Sequence, residues 1–265
     1  FTLADDFAFI AFANSYLFTC LMLIDFFKQL IFKQQKMTDR NSIKIEFAVQ
    51  ISGERCAEEV QSALTGIGRV QIDVAKGSVL VDTATPWIEI QRKIEATGRK
   101  AVLSGFGGQS AVSMLDHGNE TSNVRGVVRF CAISADKPGT VVDGVIDNLA
   151  KSRPYKLNVH ECGDISAGCD SVGDVYDSAD ISSDENGRAT VRFVNDKLAV
   201  WDLIGRSVVV AEADSAKRLA CGIIARAAGI FENYKKICAC DGVTIWDERD
   251  NPLAGGNRGE QKSAL

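Results

Sequence analysis

Between Ser42 and Gly105 the apolar residues switch repeatedly between the two-residue period of a strand and the roughly 3.6-residue period of a helix. No other feature of the chain constrains the fold as strongly. In "SIKIEFAVQ" the residues Ile43, Ile45, Phe47 and Val49 alternate, so one face of a strand is buried. "GERCAEEVQSALTGIG" then places Cys56, Val60, Leu64 and Ile67 at helical spacing, with Gly66 and Gly68 to stop the helix. "RVQIDVAKGSVLVDT" reads as two strands around a Lys-Gly turn. "TPWIEIQRKIEATG" offers Thr85 as a helix cap, Pro86 at the first helical position, and Trp87, Ile90 and Ile94 along one face. "KAVLSG" closes the series as a strand.

The order β-α-β-β-α-β within about 65 residues predicts an α+β ferredoxin-like sandwich, assigned to residues 42–105. Gly105 to Gln109, "GFGGQ", is a short hinge. After it the helical period disappears. "SAVSML", "VRGVVRFCAI", "VVDGVIDNL", "PYKLNVHEC", "GRATVRFV" and "SVVVAEA" are short apolar or alternating runs between turn residues. They predict an all-β sandwich or barrel over residues 109–228. Residues 229–265 show no sustained period and read as a short irregular tail whose end, "GGNRGEQKSAL", is expected to be disordered.

Residues 1–36 stand outside this plan. The run from Phe7 to Phe32 is long enough for a membrane span, yet it holds Asp25 and Lys28 and follows Asp5 and Asp6 where a signal peptide would carry positive charge. Met37 opens the polar stretch "MTDRNS". The expectation is an apolar extension that the working protein lacks, with a membrane anchor as the alternative. A net charge of -5 argues against a nucleic-acid partner. Two histidines, His117 and His160, exclude any site built from three or four imidazoles. Eight cysteines scattered over 265 residues are too few for a secreted disulfide scaffold, which points to the reducing cytoplasm.

The segments "VVRF", "GVIDNL", "NVHECGDISAGCDS", "ENGRA", "VWDLIGRSVVV" and "RLACGIIARAAG" resemble the Greek-key barrel of copper/zinc superoxide dismutase. The unit before them resembles small heavy-metal-associated copper chaperones. With the C-x-C of "ICACDGVTIWDER", the whole resembles the copper chaperones that serve superoxide dismutase. The resemblance implies a Cu(I) carrier that docks on a dismutase subunit and promotes its intrasubunit disulfide. It implies a disulfide between Cys169 and Cys221 in the barrel, two free thiols being the alternative. It also implies docking through "ECGD" and "CGIIARAAG", with Cys162, Gly163, Asp164, Gly222, Ile223 and Arg226 as the contact residues. Whether the chain also pairs with itself is left open.

The same resemblance excludes dismutation. The position of the copper-binding histidine pair reads Asn158-Val159-His160, the bridging position is Val175, and "AEADSAKR" carries no histidine. One imidazole cannot build that copper centre, so His160 is expected to be a structural remnant. Zinc is not expected in the barrel, Asp177 being the one remnant considered.

Two thiol sites carry the chemistry. Side chains at i and i+2 of an extended segment face the same way, so Cys238 and Cys240 can present two thiolates to one soft ion, Cu(I). Lys235 and Lys236 favour the thiolate forms. A disulfide between neighbours so close is strained and readily exchanged, which suits thiol exchange as well as copper handover. Chance adjacency of two ordinary cysteines is the bland alternative. In the first domain the family's Met-x-Cys-x-x-Cys is reduced to Ile51, Gly53 and Cys56. Cys56, in the first helical turn where the dipole lowers its pKa, is a weaker copper ligand by itself. A partly buried helix cysteine is the alternative, and a dismutase-binding partner that moves no metal is the alternative for the whole chain. Cys131 is expected to face the barrel interior, and Trp246 to anchor the tail on a partner or on the barrel.

Overall fold

The computed structural model describes residues 42–118, 123–234 and 244–250. The first six elements are β1 (Ile43–Val49), α1 (Glu54–Ala63), β2 (Arg69–Asp73), β3 (Ser78–Thr83), α2 (Trp87–Glu95) and β4 (Ala101–Phe106). The strands form an antiparallel sheet in the order β2-β3-β1-β4, the ferredoxin-like arrangement expected from the switches of period. Alternation makes one sheet face apolar. Ile45, Phe47, Val49, Val79 and Val81 are buried there with Val60 and Leu64 from α1 and its cap, and with Ile90 and Ile94 from α2. Each such side chain contributes about 1.5–3 kcal/mol on leaving water.

Thr85 does not cap α2. Its N–H donates to Thr83 Oγ1 at 3.0 Å, and the open N–H of Trp87 donates instead to Asp143 Oδ2 at 3.1 Å, from the following domain. A carboxylate satisfies both the unpaired amide and the positive end of the helix dipole. A tertiary contact has taken the place of the local cap.

The all-β domain contains β5 (Ser110–Leu115), β6 (Arg125–Ala132), β7 (Thr140–Asp147), β8 (Pro154–His160), β9 (Val175–Ser182), β10 (Ala189–Asn195), α3 (Val200–Leu203), β11 (Ser207–Glu212) and β12 (Arg218–Ala227). The sheet order β10-β7-β6-β5-β12-β11-β8-β9 carries the chain across from β7 to β8 and back from β9 to β10, a Greek-key path round a nearly closed barrel. Leu115, Val128, Phe130, Ile146, Leu157, Val208 and Ile224 fill its interior. Outside the main core, Cys169, Val172, Val209 and Cys221 form a separate small cluster, in which Cys169 and Cys221 are joined by a disulfide with Cα atoms 5.6 Å apart.

Cys131 does not face that interior. Its neighbour Phe130 does, so alternation along β6 turns Cys131 outward, where with Val141 it joins the core of the first domain. Burial pushes its thiol up to about 11, an inert structural cysteine. A charged cluster sits at the same seam. Asp143 Oδ2 accepts from Arg192 Nη1 at 2.6 Å, Arg192 Nη2 donates to the carbonyl of Thr83 at 3.1 Å, and the Arg129 guanidinium stacks 5.5 Å from the Trp87 ring. Apolar packing and buried charge therefore both cross between the domains.

Among its described residues, the C-terminal segment expected to be irregular contains a short helix, α4 (Ile245–Asp250), which lies against β4. Thr244 Oγ1 accepts from the N–H of Asp247 and donates to its carboxylate at 2.6 Å, a local capping pair. Trp246 is thus half-buried on a helix beside the first domain rather than on the barrel. Among the described residues no helix is long and apolar enough to cross a membrane.

Candidate copper-handling and docking sites

Cys56 lies in the first turn of α1, its N–H donating to the carbonyl of Gly53 at 3.0 Å. Its sulfur is 3.3 Å from Ser52 Oγ. Arg99, distant in sequence, is brought alongside by the turn before β4. Its guanidinium donates to the carbonyl of Thr97 at 2.8 Å and to Glu59 at 2.6 Å, one helical turn from Cys56. The Ser52 hydroxyl foremost, and then the Arg99 guanidinium, hold the Cys56 thiol down to about 7. At neutral pH about half of such a group is thiolate. The sequence pointed to the helix terminus for this work; Ser52 and Arg99 are two side chains it did not point to. Arg99 had no signal in the sequence beyond being basic.

Gly53 caps α1 in extended backbone, and a Cβ there would meet nothing within 4 Å. Packing does not demand a glycine at this position; a second thiol would fit.

The barrel holds no assembled metal site among the described residues, where no three His, Cys, Asp or Glu side chains converge. His160 is buried at the end of β8, and its Nδ1 lies 2.9 Å from the carbonyl of Gly173. Burial keeps its pKa below the ordinary value. Asn158 Oδ1 accepts from Ser178 Oγ at 2.7 Å, and Asp177 accepts from Asn195 Nδ2 at 2.9 Å. Val175 is exposed opposite His160 in the β8–β9 register. His160 Nδ1, Asn158 and Asp177 are thus engaged in structural bonds, whereas His160 Nε2 is buried without a hydrogen-bond partner.

Cys162 and Gly163 follow β8 and pack against the turn that leads into β11. Ser207 Oγ donates to the carbonyl of Cys162 at 2.7 Å. A Cβ on Gly163 would run into the carbonyl of Gly205 and come within 3.2 Å of Ile223. Asp164 accepts from the N–H of Ser166 at 2.8 Å, and the Ser166 hydroxyl foremost, then that N–H, hold its carboxyl below the usual range. The structure thus brings Cys162, Gly163 and Ile223 together and adds Ile204, which sequence reading missed. Ile204 and Ile223 are 43% and 42% exposed, so two branched aliphatic side chains stand in water. Gly222 lies beneath, against the carbonyl of Met114, where only glycine fits. Arg226 lies away from this patch, lining a recess of about 340 Å³ with Gly107, Gly108 and Glu232. Cys238 and Cys240, with Lys235 and Lys236, fall outside the described residues.

Residues 46–100 match the heavy-metal-associated domain family. Over 257 residues the chain is 37% identical to the copper chaperone for superoxide dismutase of Mus musculus, covering 81% of this chain and 92% of that protein. Over 259 residues it is 37% identical to the protein of the same name from Homo sapiens, covering 82% and 92%. The superoxide dismutase 1 copper chaperone of Saccharomyces cerevisiae is 29% identical over 248 residues, covering 82% and 98%. With the two-domain order and the disulfide-bearing barrel described above, these similarities place the chain in the copper chaperone for superoxide dismutase family.

Proposed function

We propose that this chain is a cytoplasmic copper chaperone that docks on a subunit of copper/zinc superoxide dismutase, hands it Cu(I), and promotes its intrasubunit disulfide. The observation that carries this reading is the combination found in the barrel. A patch built from Cys162, Gly163, Ile204 and Ile223 remains open to solvent, while Asn158 and Val175 stand where a dismutase metal site would carry histidines and "AEADSAKR" carries none. A barrel with a pairing face and no metal centre suits recognition. By presenting the surface of one subunit it would pair with another in a two-fold-like manner. The same face would accept a second copy of this chain when no client is present.

Cu(I) is the cargo. Cys238 and Cys240 supply two soft thiolate ligands, and Cys56, half ionised at neutral pH, supplies one. A single thiolate in the first domain holds copper only with a second ligand from elsewhere. The tail pair is therefore the delivering site. When that pair is oxidised, a client thiolate attacks one of its sulfurs to give a mixed disulfide, and the client's second thiol then displaces the tail. The client leaves with its disulfide and the tail with two reduced thiols.

The experiment is activation of copper-free, reduced dismutase by the Cu(I)-loaded chain, wild type against Cys238→Ser/Cys240→Ser. Loss of activation in the double variant is expected. Full activation by it would remove the tail from the mechanism and leave a binding partner that moves no metal.

A further inference from the structure

The first domain poses a difficulty. It keeps the fold of a copper carrier but only one of the two thiols, although Gly53 has room for the other. Its contacts with the chain beyond the barrel offer a different use for it.

Glu46 sits in β1 on the sheet face opposite Phe47, and is 8% exposed although it is a carboxylate in mid-strand. Such burial is rare unless the group is fully engaged. Its Oε1 accepts from Ser78 Oγ at 2.9 Å, and its Oε2 accepts from the N–H of Phe231 at 2.7 Å. Around that bond the segment after β12 is tied to the first domain and the hinge. Ser104 Oγ donates to the carbonyl of Asn233 at 3.1 Å, and the N–H of Ile230 donates to the carbonyl of Gly107 at 2.9 Å. Gly105 in β4 lies so close that an added Cβ would stand 2.5 Å from the carbonyl of Gly229. Phe231 has φ +62°, a conformation that a bulky residue adopts only when its surroundings impose it. Its ring is 53% exposed, so apolar burial is not what holds it there. Polar bonds to the first domain hold it. Beyond Asn233 the chain meets the domain again through α4 on β4.

We propose that the first domain is the mount of the terminal thiol segment and that Glu46 is its positioning residue. This rests on the reading that Cys238 and Cys240 deliver the copper. Cys238 is four residues from Tyr234 and Cys240 six. At about 3.4 Å per residue the Cα atoms of these cysteines lie at most roughly 14 and 20 Å from that root, whatever path the chain takes. Moving the root therefore moves the bound within which those thiols lie, and with it their effective concentration at a client docked on the barrel. The domain stays useful after losing half of its own copper pair because its sheet fixes the point from which the other pair extends.

The test measures the rate of client activation against client concentration for the full Cu(I)-loaded chain. Four variants are compared with wild type: Glu46→Ala, Glu46→Gln, Gly105→Ala, which pushes the root from the other side without touching the charge, and Cys238→Ser/Cys240→Ser. Glu46→Ala and Gly105→Ala are expected to lower the saturating rate by roughly fivefold or more through lost effective concentration. The half-saturating client concentration, set by the barrel, should not change. Glu46→Gln keeps an acceptor and should recover part of the rate. Hydrogen exchange at the Phe231 amide should speed up in Glu46→Ala while barrel amides stay protected. Should the root variants activate like wild type while the double serine variant is dead, the mount is wrong and the tail assignment stands. Should the double serine variant be fully active, the tail assignment has failed first. A rise in half-saturating concentration in both root variants would place their effect on docking and also overturn the mount.

Discussion

Asp143 gives the most exacting test of the seam between the domains. Its side chain is wholly buried, faces an Arg192 side chain only 10% exposed, and also receives the first N–H of α2. In Asp143→Ala the Arg192 guanidinium loses its carboxylate in a place that water reaches poorly. Breaking a buried pair on one side costs about 3–5 kcal/mol, and the lost helix-terminal acceptor adds about 1 kcal/mol. Urea unfolding at pH 7.5 should show a loss of that size, with the first domain melting ahead of the barrel. A loss under about 1 kcal/mol would refute the reasoning. The pH dependence carries a second check. Burial, opposed by Arg192, raises the Asp143 carboxyl to about 6, from an ordinary 3.8. The folded state then binds this proton more readily than the unfolded state does. This group's own contribution therefore grows as pH falls through about 6 and levels off below about 4. Carboxylates held below their ordinary range, such as Asp73 and Asp164, pull the other way, so the quantity to read is wild type minus Asp143→Asn.

Three further outcomes are expected. Alkylation of Cys56 should reach half its maximal rate near pH 7, and Arg99→Leu should move that midpoint upward, since a cation that favours the thiolate is lost; an unmoved midpoint would exclude Arg99 from the site. Gly53→Cys, placed where a side chain meets open space, should let the first domain hold Cu(I) against a chromogenic chelator that strips the wild-type domain, checked in the full chain carrying serines at 238 and 240. Ile223→Asp should weaken association with copper-free dismutase at least about tenfold by calorimetry, near 1.4 kcal/mol, while thermal unfolding shifts little because the side chain is 42% exposed.

The ferredoxin-like order was legible because it rests on near-neighbour spacing: Ile43, Ile45, Phe47 and Val49 declare a strand by alternation, and Val60 and Leu64 share a helix face at four residues apart. In the eight-stranded sheet the apolar or alternating runs marked β5, β6, β7, β8, β10 and β11, but β9, Val175–Ser182, carries mostly exposed and polar residues and gave no such run. Local reading failed where a local rule had a distant competitor. Thr85 looked like a cap, and Asp143 took the role from the next domain. Cys131 looked like barrel interior, but a strand alternates between two faces, and only the neighbouring domain tells which of them is also buried.

By itself the sequence determined the succession of strands and helices in the first domain, the shortage of imidazole, and the placing of thiols at 56, 238 and 240, because each is a matter of residue type and short spacing. Only the tertiary structure decided that Ser52 and Arg99 lower the pKa of Cys56, that Gly205 and Ile223 close on Gly163, and that Glu46 holds Phe231. Those pairings join residues up to 185 positions apart. Their energy comes from excluding water between surfaces that meet only when the sheets have packed, and no periodicity along the chain records which surfaces those will be.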